Sequence, residues 1–183
     1  MVVNKTRQII KSLSPADAQA VLRILANADE KIAKRIADIA TTYLSEVDLE
    51  DIAAAIYDDL DLLQVEEVWD RAGDTRDGYV ETDEAAYQMI EEVLEPYLEE
   101  LRKYQQLNMP RQALHLCMGL LKGLWLFEQE STSEFKNWAA DAPLGFAEEV
   151  IIAWKSEIPA GDEILAFKEF IAGPLGGWGM RLV

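Results

Sequence analysis

Residues 82–107 read TDEAAYQMIEEVLEPYLEELRKYQQL and residues 110–128 read PRQALHLCMGLLKGLWLFE, with only Asn108 and Met109 between them. The second stretch decides the fold. From Ala113 to Phe127 every residue except His115, Gly119, Lys122 and Gly123 is apolar, and a helix that is apolar all round must be enclosed by other helices. Asn108 tolerates the left-handed conformation that ends a helix, and Pro110 suits the first position of the next, so the two segments form a tight αα-hairpin. Pro96 lacks an N–H and should bend or split the first rod; a single bent rod is the preferred reading.

Helix signals recur on both sides of this hairpin. Nothing alternates with the two-residue period of a half-buried strand for long enough to compete. Upstream, a short helix is expected around residues 4–13. Ser14 and Pro15 open a second with Ala20, Val21, Ile24 and Leu25 inward, and Asp29 and Glu30 start a third with the stripe Ile32, Ile36, Ile39, Tyr43. Asp48 caps a helix with Ile52, Ile56, Leu60 and Leu63 inward, continued by Val65, Val68, Trp69 and Ala72 until Gly73 offers a left-handed exit. GDTRDGYVET, residues 73–82, reads as a polar loop, and Thr82 as the cap of the long helix, whose inner face is Ala86, Ile90, Val93, Tyr97, Leu101 and Tyr104. Downstream come a short amphipathic piece at 133–140, a helix at 143–157 with Ala147, Ile151 and Trp154 inward, and a last helix at 162–172. The fold expected is all-α: eight or nine helices in stacked antiparallel hairpins, α-solenoid-like or an irregular bundle. One helical domain spans 1–172, and the glycine-rich PLGGWGMRLV makes 173–183 a tail.

Composition narrows the function classes. The 183 residues are 50% apolar, enough for a core without disulfides or metal. Cys117 is the single cysteine and the opening MVVNKTRQIIKSLS holds no apolar run resembling a secretory signal, which makes the reducing cytoplasm the expected location. A formal charge of −17 opposes phosphate backbones and anionic membranes. Lys31, Lys34 and Arg35 do sit together, but Glu30 and Asp38 flank them. Neither nucleic acid nor membrane is therefore an expected partner.

Motifs that carry chemistry are sparse. Residues 113–127 are too short for a bilayer and carry Lys122 and His115, so Gly119 and Gly123, spaced as GxxxG, are read as a notch for a neighbouring helix. In the loop after Gly73, Asp77, Gly78 and Glu84 fall at the fifth, sixth and twelfth places of a calcium loop. The first and third places, Gly73 and Thr75, lack the needed oxygens. One histidine cannot build a two-histidine metal site, and His115 and Cys117, two apart, face different ways on a helix. No cofactor is implied, and no GxxxxGK[ST] or GxGxxG phosphate loop occurs. Carboxylates at helical spacing, Glu67 with Asp70, Glu81 with Glu84 and Glu92 with Glu95, can hold magnesium against a phosphate. They resemble the ExxE and ExxD pairs of all-α nucleotide pyrophosphohydrolases, though in the reverse order; on that alternative the metal ligands are Glu67, Asp70, Glu92 and Glu95. With 34 acidic residues such pairs also arise as solvated helix faces. Trp138 and Trp178, outside regular stripes, are expected to be exposed and to serve as recognition anchors.

DLEDIAAAIYDDL (48–60), VEEVWDRAGDTRDGYVETDEAA (65–86) and the hairpin beginning IEEVLEPYLEELRKYQQL at Ile90 follow one another in an order that resembles the helical region accompanying SWIM-type zinc fingers in prokaryotic proteins. LNMPRQALHLCMGLL (107–121) is similar to a tetratricopeptide hairpin, with Asn108 where a turn glycine is usual. The resemblance covers residues 47–154 and implies an interaction surface without catalytic residues. The CxC and CxH of a SWIM finger cannot form from one cysteine and one histidine, so zinc and nucleic acid are not carried over. Trp69, Asp70, Arg71, Arg76 and Tyr79, with Trp138, are the candidate binding residues. For Arg71 and Arg76 the structural role, pairing with carboxylates to pin a loop, is preferred over contact with a partner. The leading expectation is a non-enzymatic protein-interaction or scaffold module with an unidentified protein partner. The alternatives are the magnesium-dependent phosphohydrolase and a structural homo-oligomeric subunit.

Overall fold

A computed structural model describes residues 2–76, 78–157 and 159–182. Among them stand ten α-helices and one two-stranded hairpin, confirming the all-α class. The chain divides into two compact units, Met1–Glu46 and Val47–Val183, so the expected boundary at residue 172 is not where it divides.

The first unit holds α1 (Val2–Lys11), α2 (Pro15–Ala28) and α3 (Glu30–Leu44). Its boundaries follow local chemistry. The Ser14 side chain accepts from the Asp17 N–H while Asp17 accepts from the Ser14 N–H, a capping box, and the Asp29 carboxylate accepts from the Lys31 N–H at 2.7 Å. The expected burial does not follow. Val21, Ile24, Leu25, Ile32, Ile39 and Tyr43 are all exposed. Helices α2 and α3 pack on each other while the half-buried positions are small or few, among them Ala18, Ala26, Ala33 and Ile36. Two helices form one layer, and an apolar stripe wider than the seam has nothing within that layer to cover it.

The second unit is built around the helix that the sequence singles out. In chain order it comprises α4 (Leu49–Asp61), α5 (Val65–Arg71), β1 (Gly73–Thr75), β2 (Gly78–Val80), α6 (Thr82–Gln106), α7 (Pro110–Glu130), a 3-10 turn (Glu134–Trp138), α8 (Ala142–Lys155), α9 (Gly161–Ala172) and α10 (Gly176–Gly179). Helix α7 packs against α4, α6, α8 and α9, and ten of its positions from Ala113 to Leu124 are buried. The turn before it is a Schellman closure: Met109 N–H donates to Tyr104 O and Asn108 N–H to Gln105 O, both at 2.9 Å, with Asn108 at φ 53°. A Cβ built on Gly119 would lie 2.7 Å from Ile52 Cβ, and one on Gly123 2.5 Å from Ile56 Cβ. The glycine notch is therefore filled by α4. Lys122, between the two glycines, reaches over to donate to Glu50 Oε1 at 2.7 Å.

Several expectations need correction. The α4 and α5 segments are separate helices broken at residues 62–64, and Trp69 on α5 points outward. Residues 73–80 are a β-hairpin, in which Gly73 pairs with Val80 and Asp74 with Tyr79; Gly73, at φ 104°, does provide the left-handed exit from α5. Strands of three residues joined by two are a hairpin too short for alternation to mark. Glu81, without a side-chain cap, stands where Thr82 was expected. Helix α6 runs unbroken through Pro96, but its buried face is Ala85, Ala86, Met89, Ile90, Leu94, Leu98, Leu101 and Tyr104. Val93 and Tyr97 lie on its flank, where the Tyr97 hydroxyl donates to Asp59 Oδ2 at 2.7 Å. Residues 173–182 are no loose tail. Leu175 and Trp178 are buried, and the Trp178 indole donates to Glu128 Oε2 at 2.6 Å, so Trp178 is a structural residue and not an exposed anchor. Glycine permits this fold-back: a Cβ on Gly179 would meet Ile171 O at 2.4 Å.

Candidate functional site

Of the residues expected to bind a partner, the fold brings Trp69 and Trp138 together. Trp69 leaves the exposed side of the short helix α5, whose Val65 and Val68 are held in the core, and it is 56% exposed. Trp138 ends the 3-10 turn anchored by fully buried Phe135. The two indoles meet edge to face, centroids 6.3 Å apart at 86°, the arrangement that the aromatic quadrupole favours. An open cleft of about 530 Å³ begins at Trp138, lined also by Asp83, Glu84, Tyr87, Gln88 and residues 139–142.

The cleft sets three carboxylates among alanine and aromatic side chains. Tyr87 stacks on buried Phe146 with centroids 4.3 Å apart and donates its hydroxyl to Glu149 Oε1 at 3.2 Å. Burial, then the Glu149 carboxylate, pushes the Tyr87 hydroxyl above its ordinary value of 10.0, so it stays a donor. Asp83, Glu84 and Asp141 line the cleft, and no basic side chain does so among the described residues. Such a surface attracts cations to aromatic faces.

The other expected residues lie elsewhere. Arg71 donates to Glu92 Oε1 at 2.8 Å, tying α5 to α6, which is the structural role preferred from sequence. Asp70 is exposed on α5, Arg76 is exposed in the hairpin turn, and Tyr79 is exposed on β2. The carboxylates of the metal alternative are scattered. Glu92 faces Arg71, Glu95 accepts from Arg102 at 2.9 Å, and Glu67 is exposed on α5. Among the described residues no three His, Cys, Asp or Glu side chains are grouped to hold a metal ion. Of the calcium-loop positions, Gly73, Thr75 and Gly78 pair in the hairpin, and Asp77 lies outside the described residues.

Cys117 is fully buried in α7, and burial raises its thiol well above the ordinary range, leaving no accessible thiolate. His115, half-buried, sets Nδ1 3.3 Å from Val47 O. Sequence reasoning missed Tyr87 and Asp141. Tyr87 sits one residue past the buried Ala86, a position that periodicity assigns to solvent. No helix among the described residues is long and apolar enough to cross a membrane. Comparison with family models, with curated proteins and with solved structures finds no match for this chain.

Proposed function

We propose that this chain is a non-enzymatic protein-interaction module of the cytoplasm, and that the Trp69–Trp138 pair with the adjoining acidic cleft receives a basic segment of a protein partner. The observation that carries the reading is the pairing of exposed Trp69 with half-buried Trp138, which borders a cleft lined by three carboxylates. Partly exposed indoles anchor interfaces because they bury much area at little entropic cost. A lysine or arginine over such a ring gains about 0.5–2 kcal/mol. The carboxylates add steering and select for positive charge. This keeps the chain in the functional class implied by the resemblance of residues 47–154 to SWIM-associated and tetratricopeptide helical regions.

The test is titration with a short synthetic peptide of arginine and leucine, followed by tryptophan fluorescence. Trp138→Ala should weaken binding about tenfold, on the order of 1.4 kcal/mol. Asp83→Asn with Glu84→Gln should also weaken it and flatten its salt dependence. Glu99→Gln, on the same helix but roughly 24 Å along it at the helical rise, should change nothing. Equal binding by wild type, Trp138→Ala and the Asp83/Glu84 variant would refute the proposal.

A further inference from the structure

Helix α5 is only seven residues long, and its N-cap Gln64 makes no side-chain cap bond. A helix of about two turns does not hold itself in water, so Trp69 stands where the neighbours of α5 put it. Val65 and Val68 are buried, and their spacing sets them in line on the face that packs against α6. A seam of two valines fixes which side of α5 meets α6. It does not by itself stop the helix from rolling about that seam.

The roll is decided on the flanks. Trp69 and Arg71 are two positions apart, about 200° around the helix axis, and so leave α5 on opposite sides of the valine seam. On one side Trp69 meets Trp138 edge to face, with centroids 6.3 Å apart. On the other Arg71 donates to Glu92 Oε1 at 2.8 Å. Among the described residues no other side chain of α5 makes a polar bond to another element. Both tethers end on one frame, since Glu92 belongs to α6 and the 3-10 turn that carries Trp138 packs on α6. The side chains of Arg71 and Glu92 are 38% and 62% exposed, and a bridge so open to water contributes little to the folding of the unit. Its effect falls on the stance of α5.

We infer that the Arg71–Glu92 bridge sets the roll of α5 so that Trp69 stands against Trp138 and faces a partner, which makes Arg71 a positioning residue of the binding face. The role in binding rests on the reading proposed above, whereas the geometry does not, because the indole pair reports it without a partner. Two indoles in contact couple their transitions, and the far-ultraviolet circular dichroism of the full-length chain should carry a couplet that Trp69→Phe abolishes. Trp69 with Trp138 is the only contact between tryptophan rings among the described residues. Arg71→Gln and Glu92→Gln should each reduce the couplet and weaken the arginine–leucine peptide about threefold, with the urea midpoint scarcely moved. Charge reversal, Arg71→Glu with Glu92→Arg, should restore both. Arg102→Gln, which breaks an exposed bridge to Glu95 within α6, should change neither. An undiminished couplet in both single variants overturns the inference, as does a couplet that charge reversal fails to restore or one that falls while the peptide binds as tightly as before. A wild type that binds no peptide but whose couplet follows the expected series defeats the binding reading and leaves the positioning of Trp69 by Arg71 upheld.

Discussion

Replacing Gly123 by alanine tests whether the closeness of α4 and α7 is what holds the second unit together. The added Cβ would fall 2.5 Å from Ile56 Cβ, 2.6 Å from its Cγ2 and 2.9 Å from Ala53 O. These are a backbone oxygen and the branch point and methyl of a β-branched side chain, whose χ1 is stiff in a helix, so they cannot swing aside as the tip of a long side chain does. To restore ordinary contact near 3.5–4.0 Å, α4 must withdraw by about 1 Å, and a gap of that size forfeits a quarter to a half of each dispersion contact along the seam. Overpacking of this kind costs about 1–3 kcal/mol, offset by the roughly 1 kcal/mol that alanine gains over glycine inside a helix. The expected net loss is about 0–2 kcal/mol. Gly119→Ala should behave alike, and the double variant should cost less than the sum because one withdrawal accommodates both methyls.

Gly145→Ala in α8 supplies the control, since its nearest neighbour, the Tyr87 hydroxyl, would be 3.7 Å from the new carbon. There the helix propensity acts unopposed and stability should rise by about 0.5–1 kcal/mol. Urea unfolding followed by tryptophan fluorescence measures all four variants. If Gly123→Ala proves as stable as Gly145→Ala, the seam is looser than described and the argument fails.

Alkaline pH should destabilise the protein. Burial, then the hydrogen bond and charge of Asp59, hold the Tyr97 hydroxyl protonated well above its ordinary 10.0. Its contribution is therefore complete below pH 10 and declines as pH rises past 10, where the unfolded chain ionises first. Urea midpoints measured on either side of pH 10 should fall for the wild type and fall less for Tyr97→Phe. Cys117 should resist an aromatic disulfide reagent in the native state and react at once in urea, because burial suppresses its thiolate; rapid native labelling would contradict the packing of α7. Trp178→Ala should cost about 3–5 kcal/mol in urea unfolding, whereas loss of a dispensable tail would cost nothing measurable.

Where each helix begins and ends was largely legible, because caps and turns are decided by residues a few positions apart. Ser14 with Asp17, Asp29, Asp48 and the Asn108–Pro110 turn all act as their chemistry requires. The hairpin at 73–80 escaped because its strands are three residues long, too short for alternation to register. The candidate site was half legible. Trp69 and Trp138 stood out by type, but 69 positions separate them, and their meeting depends on α5 and the 3-10 turn both docking on α6.

Sequence alone determined that the chain is helical, that most of residues 113–127 lie inside, with Trp125 and Leu126 only half-buried, and that Gly119 and Gly123 admit a close neighbour. Each follows from local stereochemistry or from the cost of leaving apolar surface in water. Only the tertiary structure decided that the neighbour is α4, that Trp178 is buried while Trp69 is exposed, and that the seam between α2 and α3 takes in small residues and leaves most of their stripes outside it. Periodicity assigns a residue to a helix face, but burial depends on what stands opposite that face. In this chain, opposing elements can lie more than seventy residues away, as with Glu50 and Lys122, which are 72 apart.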